Sequence, residues 1–225
     1  MDIRTRRKRS RRRTQIGTRM GIICLALMLL ILGGMKYLKI GLFESKYVER
    51  TGASVEAGKP EIDVKLLTVN SYSRPGYRTE KIENIVIHYT ANPGSTAMQN
   101  RDYFEGLKDS HKTRASSHFI VGLDGEIVQC VPTWEVAYAS NTRNYDTVSI
   151  ESCHEKADGA YTKATYRSLV ELTAWLCLKF DLTEEDVIRH YDITKKICPK
   201  YFVDDEEAWK AFKKDVGKRL SAIKE

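Results

Sequence analysis

The sequence predicts an α/β fold: a single domain with a mixed central β-sheet flanked by helices, preceded by an N-terminal transmembrane helix. Two observations lead to this prediction. After residue 69, short apolar β-branched runs alternate with segments of helical periodicity, as is typical of strands and helices in one α/β domain. Before that point, a basic tail runs into an uncharged apolar stretch, which is the pattern of a membrane anchor.

Most of the excess positive charge lies in residues 1–19. The whole chain has 37 Lys and Arg against 30 Asp and Glu, a formal net charge of +7. The tail alone accounts for +8, so the remaining residues carry a net charge of −1. A nearly neutral body does not suit a polyanion groove, and nucleic acid is therefore not expected as a partner.

The apolar stretch predicts a single membrane span over residues 20–43. Residues 21–35 contain no charge, and Lys36 and Lys39 can extend their ammonium groups to the membrane interface. The basic tail before the span places the N-terminus in the cytoplasm and the rest of the chain outside the cytoplasmic membrane. A cleaved signal peptide is the alternative, although no small-x-small cleavage site follows the apolar stretch.

The chain beyond the span divides into a linker and one folded domain. Residues 44–68 mix Gly, Pro, Ser and charges without periodicity, so they are predicted as a linker with room for a short ordered arm at its end. Residues 69–225 are assigned to the domain. Its predicted elements, in order, are a strand (82–90), a helix (96–107), a hairpin (116–131), a strand (146–153), a helix (162–180), a strand (187–190) and a helix (204–220).

Two histidines and a cysteine form a candidate metal site. His88 ends the apolar run IVIH and His190 ends the short run VIRH, so both are expected where strands reach the edge of the sheet. Cys198 follows His190 by eight residues. Two imidazoles and a thiolate are a suitable tetrahedral set for Zn²⁺ with one open position. The spacing alone leaves hydrogen-bonded structural histidines as an alternative.

Two charged residues are candidates for catalysis. Glu151 lies in the apolar run TVSIESC, where a carboxylate is unfavourable unless it is paired or functional. Lys196 precedes Cys198 by two residues and could stabilise an oxyanion. Without further information, both side chains could equally be ordinary charged residues on the surface.

Four segments resemble the zinc-dependent N-acetylmuramoyl-L-alanine amidases of the second amidase family. They read IVIHYTANPGST, SSHFIVGLDGEIVQCVP, DTVSIES and IRHYDITKKICP, in the family's order and spacing, within about residues 69–216. This family includes phage amidase-type lysozymes and is similar to peptidoglycan recognition proteins. The resemblance implies the following site: Zn²⁺ held by His88, His190 and Cys198, with Glu151 and Lys196 as catalytic residues.

The resemblance also implies the reaction, which is hydrolysis of the amide between N-acetylmuramic acid and L-alanine in peptidoglycan. In that reaction Glu151 takes and returns a proton, while Lys196 helps to hold the oxyanion. Together with the predicted span, this implies a monomer tethered to the cytoplasmic membrane and facing the cell wall. A non-catalytic peptidoglycan-binding module and a zinc hydrolase of another N-acyl substrate are the alternatives.

Some positions depart from the family pattern. Ser117 occupies a place where some relatives carry a catalytic tyrosine, so the strand glutamate is expected to do that work. Residues 137–140 lack the histidine of the AWHAG segment found in many relatives, and this loop is expected to shape substrate choice. His118 matches a family histidine that is not a metal ligand. It is expected either to lie beside the ligands or face the substrate, or to be a hydrogen-bonded residue of the sheet. His111 and His154 are predicted on the surface.

Overall fold

A computed structural model describes residues 46–224 and five helical residues between positions 24 and 30. The chain divides into two units, Met1–Ser45 and Lys46–Glu225, and the α/β domain lies in the second. Most of the predicted span over residues 20–43 lies outside the described residues. Among the residues that are described, no helix is both long and apolar enough to cross a bilayer.

A mixed six-stranded sheet lies at the centre of the second unit. Its strands are β1 (Asp63–Val64), β2 (Asn84–Tyr89), β3 (Phe119–Val121), β4 (Ile127–Gln129), β5 (Thr147–Ser152) and β6 (Val187–Arg189). The strand order is β1-β4-β3-β5-β2-β6. The β3–β4 hairpin is antiparallel, and the other neighbouring strands pair in parallel. The predicted mixed sheet is confirmed.

Six helices and two short 3₁₀ helices in residues 46–224 accompany the sheet. The helices are α1 (Ala53–Ala57), α2 (Ala97–Ser110), α3 (Lys163–Phe180), α4 (His190–Thr194), α5 (Lys200–Asp204) and α6 (Glu206–Lys224). The 3₁₀ helices are Asn141–Arg143 and Glu184–Asp186. Threonine caps begin the two helices that the sequence predicts most clearly, because the side chains of Thr96 and Thr162 accept hydrogen bonds from backbone N–H groups in the first turn.

Each face of the sheet packs against different helices. On one face, Ile87 and Ile150 share a buried cluster with Leu172 of α3 and with the apolar side of α6. On the other face, Ile120 packs in a second cluster with Leu107 of α2. Since successive side chains of a strand point to opposite faces, a polar residue next to one of these isoleucines must face the opposite helix layer.

The segment before residue 69 packs on the domain, and its order begins well before the short ordered arm that was expected at the end of the predicted linker. α1 places Val55 in the first cluster, and the indole Nε1 of Trp175 donates to the carbonyl of Val55 over 2.9 Å. β1 pairs with β4, and Leu67 is buried in the second cluster. Isolated apolar residues make these contacts, so no periodic pattern indicates them in the sequence.

Leu67→Ala is expected to lower the free energy of unfolding by about 2–5 kcal/mol. Leu67 is 1% exposed, so the smaller side chain leaves a cavity in the second cluster. The neighbouring Leu66→Ala is the matched control, because Leu66 is 37% exposed and little packing is lost there. Chemical denaturation compares the two variants, and equal stabilities would mean that this segment does not pack on the domain.

Two predicted boundaries differ from the structure near the C-terminus. The strand predicted over 187–190 ends one residue earlier, because His190 is the first residue of α4. The helix predicted over 204–220 is divided, since Asp204 ends α5 and a separate helix, α6, runs over Glu206–Lys224. Neither difference moves His190 away from the carboxyl edge of the sheet, where β6 ends.

Candidate metal centre and active site

Two neighbouring parallel strands bring the first two candidate residues to the same edge of the sheet. β2 and β5 pair in register, with His88 opposite Glu151. Each is the penultimate residue of its strand. Because Ile87 and Ile150 face α3, the alternation of side chains directs His88 and Glu151 to the other face.

The chain after β6 completes the cluster. β6 pairs with β2, and His190 follows it at the start of α4. The chain then turns back, so that the N–H of Tyr191 donates to the carbonyl of Cys198 over 2.8 Å. His88, His190 and Cys198 each offer a ligand atom, and these atoms lie within 4.8 Å of one another. The three residues predicted as ligands therefore lie together and are all buried.

The distances between these side chains fit a zinc ion. Cys198 Sγ lies 3.8 Å from His88 Nδ1. The ring centroids of His88 and His190 are 4.7 Å apart. Zinc bonds of about 2.0 Å to nitrogen and about 2.3 Å to sulfur place ligand atoms about 3.6 Å apart in a tetrahedral site. The donor set and its spacing are thus compatible with a zinc site.

Burial keeps both imidazoles in the neutral form that binds a metal, whereas the thiol has to lose its proton to become a ligand. Removal from water lowers the pKa of His88 well below its usual range and lowers the pKa of His190. Burial raises the pKa of the Cys198 thiol to about 12. Neutral imidazoles keep a lone pair for a metal, whereas a thiolate buried this deeply needs an adjacent positive charge. A divalent cation would provide that charge.

A cavity of about 290 Å³ opens beside the cluster, and Glu151 and Lys196 line it together with the three candidate ligands. Burial raises the pKa of Glu151 to about 8, although the positive charge of Lys196 opposes this shift. Within residues 46–224, the buried Oε2 of Glu151 has no hydrogen-bond partner. A carboxyl group with a pKa near neutrality can exchange a proton with a reacting group.

Several other residues that line the cavity were not predicted individually as site residues. Tyr103 and Phe104 come from α2, and Tyr138 comes from the loop before β5 that was expected to shape substrate choice. Thr90 also lines the cavity, and its buried Oγ1 has no partner in the described part of the chain. The walls therefore combine aromatic rings with a few polar atoms, which is typical of a small-molecule site.

His118 is a hydrogen-bonded sheet residue and does not face the cavity. Its Nδ1 accepts from the N–H of Ser149 over 3.0 Å, and its Nε2 donates to the carbonyl of Glu135 over 2.9 Å. The side chain is 1% exposed. Ser117 is equally buried, and its hydroxyl donates to the carbonyl of Phe119. These two positions thus support the sheet beside the candidate site.

Acidification is expected to destabilise the fold through His118. Burial lowers the pKa of His118 from 6.5 to about 4. Because the folded state holds this imidazole neutral, its contribution is fully present above pH 6.5 and is lost as the pH falls from 6.5 towards 4. Urea unfolding of the wild type and His118→Asn should show a smaller stability difference at about pH 5 than at about pH 7. A difference that stays constant would contradict this prediction.

The prediction for His154 is wrong, because this residue is 1% exposed. Its Nδ1 donates to the carbonyl of Lys156 over 2.7 Å, and its ring stacks on Tyr89 with centroids 5.1 Å apart. The polar stretch around it has no periodicity that indicates burial. His111 is exposed at the C-terminal end of α2, as predicted.

The model of the N-acetylmuramoyl-L-alanine amidase family matches residues 78–201, a range that contains every candidate site residue. The chain belongs to this family. The amidase-family chain is 38% identical over 165 residues to N-acetylmuramoyl-L-alanine amidase CwlL of Bacillus licheniformis. The aligned region covers 68% of this chain and 45% of the relative. N-acetylmuramoyl-L-alanine amidase BlyA of Bacillus subtilis (strain 168) is 32% identical over 176 residues, covering 69% and 46%. The chain thus spans about half the length of the curated relatives it matches.

Solved structures share the fold of this amidase-family chain. A mutant endolysin from Bacillus subtilis superimposes with a TM-score of 0.60 and 28% identity, covering 71% of this chain and 100% of the endolysin. The catalytic domain of XlyA gives a TM-score of 0.60 and 27% identity, covering 70% and 100%. The family resemblance noted in the four sequence segments is confirmed.

Proposed function

We propose that this protein is a zinc-dependent N-acetylmuramoyl-L-alanine amidase that cleaves the amide between N-acetylmuramic acid and L-alanine in peptidoglycan. The convergence of His88, His190 and Cys198 on a cavity that Glu151 and Lys196 also line carries the proposal. Membership of the amidase family supports the substrate class. The donor set supports metal-assisted hydrolysis rather than binding alone.

In the proposed reaction each residue has one role. Zinc held by the two histidines and the cysteine would polarise the scissile carbonyl and lower the pKa of the attacking water. Glu151 accepts a proton from this water and then transfers it to the leaving amine of L-alanine. Lys196 stabilises the negative charge that develops on the carbonyl oxygen. The influence of Lys196 on the pKa of Glu151 supports their action on the same substrate group.

The walls of the cavity suit a muropeptide, which carries both apolar faces and amide groups. The rings of Tyr103 and Tyr138 offer apolar surface for a sugar or peptide. The unpartnered Oγ1 of Thr90 offers a hydrogen bond to a substrate amide. We propose that these three residues orient the substrate against the ligand cluster.

Digestion of purified peptidoglycan by the full chain tests the proposed function. The expected products are stem peptides with a free N-terminal L-alanine and glycan strands with intact lactyl groups, identified by mass spectrometry. A chelator should stop their release, and added zinc should restore it. Retention of peptidoglycan without cleavage would instead support a binding module, and cleavage confined to other N-acyl compounds would support a different hydrolase.

We also propose that residues 20–43 tether the protein to the cytoplasmic membrane as a single-pass monomer, with the N-terminus inside and the catalytic domain on the cell-wall side. The strongly basic residues 1–19 before the uncharged residues 21–35 support this orientation. Membrane fractionation with external protease treatment of spheroplasts tests it. The full chain should remain in the membrane fraction and lose its domain to the protease, whereas a shortened soluble form would support a cleaved signal peptide.

A further inference from the structure

We infer that Asn141 is a positioning residue that fixes the imidazole of His190 for metal binding. His190 Nε2 lies 3.0 Å from Asn141 Oδ1. Since an amide oxygen can only accept, this contact puts the proton of the neutral ring on Nε2 and leaves the lone pair on Nδ1. Nδ1 is also the nitrogen of His88 that points towards the cluster, because it lies 3.8 Å from Cys198 Sγ. The inference rests on the proposed zinc centre.

In the described part of the chain, no second hydrogen bond holds the ring of His190 at Nε2. The preceding Arg189 anchors the start of α4, because its backbone N–H and its guanidinium both donate to Asp192. Those bonds hold the backbone of the helix but do not involve the imidazole, which packs against the ring of His88 with centroids 4.7 Å apart. Within residues 46–224, the imidazole of His190 makes one hydrogen bond, in which Nε2–H donates to Asn141 Oδ1. The orientation of the ring therefore depends on where the loop holds this amide.

The side chain of Asn144 holds together the loop that carries Asn141. Asn144 Oδ1 accepts hydrogen bonds from the N–H groups of Ala139 and Ser140, over 3.1 and 2.6 Å. This hydrogen-bonded turn leads directly into the 3₁₀ helix that begins at Asn141. The amide of Asn141 is thus presented from a closed turn rather than from an extended loop.

The same loop is tied to the strands that carry the other site residues. The guanidinium of Arg143 donates to both carboxylate oxygens of Asp146, over 2.9 and 2.8 Å. It also donates to Asn84 Oδ1 at the start of β2 over 2.7 Å. The hydroxyl of Thr147 at the start of β5 donates to the carbonyl of Arg143 over 2.6 Å. The loop, β2 and β5 consequently form one hydrogen-bonded frame.

The backbone of Asn141 explains why an asparagine suits this position. Its φ is 53°, in the left-handed region that asparagine and glycine adopt at low cost and that alanine disfavours. Its side chain is exposed, so the position contributes little to packing. Glycine can therefore replace Asn141 without straining the turn, and this removes the amide alone.

The loop lies where the sequence departs from many relatives. Tyr138 and Ala139 of the same segment line the cavity, and no histidine is present there. A residue in such a loop could act on the substrate or on the ligand His190. The hydrogen bond between Asn141 and the imidazole of His190 indicates that Asn141 acts on this metal ligand and not on the substrate. The two roles differ in what a substitution changes, since a cavity-wall residue alters KM and a positioning residue alters metal affinity and kcat.

The test compares Asn141→Gly with Asn141→Asp in the full chain. Competition with a chromogenic chelator should show about 10- to 100-fold weaker zinc binding by Asn141→Gly. Asn141→Asp, which keeps both an acceptor and tolerance of the left-handed backbone, should bind zinc at least as tightly as the wild type. At saturating zinc, Asn141→Gly should lower kcat with KM unchanged, and its cobalt-substituted form should show an altered d–d absorption spectrum.

The result that overturns the inference is wild-type zinc affinity, kcat and cobalt spectrum in Asn141→Gly. A rise in KM with wild-type zinc affinity also overturns it, because the residue would then belong to the cavity wall. Failure of the wild type to bind zinc overturns the proposed centre and this inference together, and is seen before any variant is measured. The metal-free wild type and Asn141→Gly should unfold at the same temperature, which excludes a general loss of structure.

Discussion

Glu151→Gln is expected to lower kcat for peptidoglycan hydrolysis by about 10²- to 10⁴-fold, the contribution of a positioned general acid–base. The glutamine side chain has nearly the same shape but can neither accept nor return a proton. Peptide release at saturating substrate measures the loss of turnover. Elemental analysis of the same samples should show wild-type zinc content, because Glu151 lies outside the ligand set of His88, His190 and Cys198.

The environment of Glu151 supports so large an effect. Burial raises its pKa to about 8, so the carboxyl group is mostly protonated at pH 7 and takes up or releases its proton only slightly above neutrality. Its place opposite His88 in the parallel pairing of β5 with β2 holds it beside the ligand cluster. A carboxylate that is buried without a partner destabilises a fold. The metal-free Glu151→Gln protein should therefore be at least as stable as the metal-free wild type.

Glu155→Gln is the matched control for this substitution. Glu155 lies four residues further along the same segment, is exposed and does not line the cavity. Its change to glutamine makes the same replacement of a carboxyl group by an amide in the same region, and turnover should stay at the wild-type level. Wild-type turnover by Glu151→Gln with zinc bound would remove Glu151 from the reaction, whatever its pKa.

The strands that carry the site were predictable because each contains β-branched apolar residues, consecutive in β2 and alternating with polar residues in β5. The run ending in His88 becomes β2, and the run containing Glu151 becomes β5. Parallel neighbours bring their carboxyl ends to one edge, so residues far apart in sequence can meet there. Apolar periodicity likewise predicts α3, whose buried positions include Leu169, Leu172 and Leu176.

The contacts that the sequence did not reveal are made by single residues. Val55 and Leu67 are buried from a segment whose helix has five residues and whose strand has two, too short to produce a period. Asn141 meets His190 through a left-handed turn, and a turn of this kind shows no hydrophobic pattern. Sequence periodicity indicates long helices and strands, whereas these contacts depend on where short segments that are distant in sequence come together.

Cys198→Ser is expected to remove the stabilisation by zinc and to reduce hydrolysis to the background of the assay. Serine keeps the approximate size, but its hydroxyl is not deprotonated by the metal as a thiol is, so the site loses its charged ligand. A ligand that binds only the folded state raises the free energy of unfolding by about 4 kcal/mol at a concentration about 1,000 times its Kd. Thermal unfolding with increasing zinc measures this gain in the wild type and its absence in the variant.

Cys153→Ser is the matched control, since Cys153 is also buried but lies outside the ligand cluster. Its sulfur accepts from Asn100 Nδ2 at 3.7 Å, and a serine hydroxyl can accept the same bond. This variant should keep the zinc response of the wild type, at a lower starting stability. A lost zinc response in both variants would point to general damage from serine in the core rather than to a ligand role for Cys198.

The three proposed ligands come from β2, from the start of α4 and from the segment after α4, so a bound ion would join parts of the chain that are 110 residues apart. Metal binding of this kind appears as folding free energy. The wild type treated with a chelator should consequently unfold only slightly above Cys198→Ser, by the cost of a serine in the core, and the two should separate further when zinc is added. Coincidence of the two curves at saturating zinc would mean that Cys198 does not hold the metal.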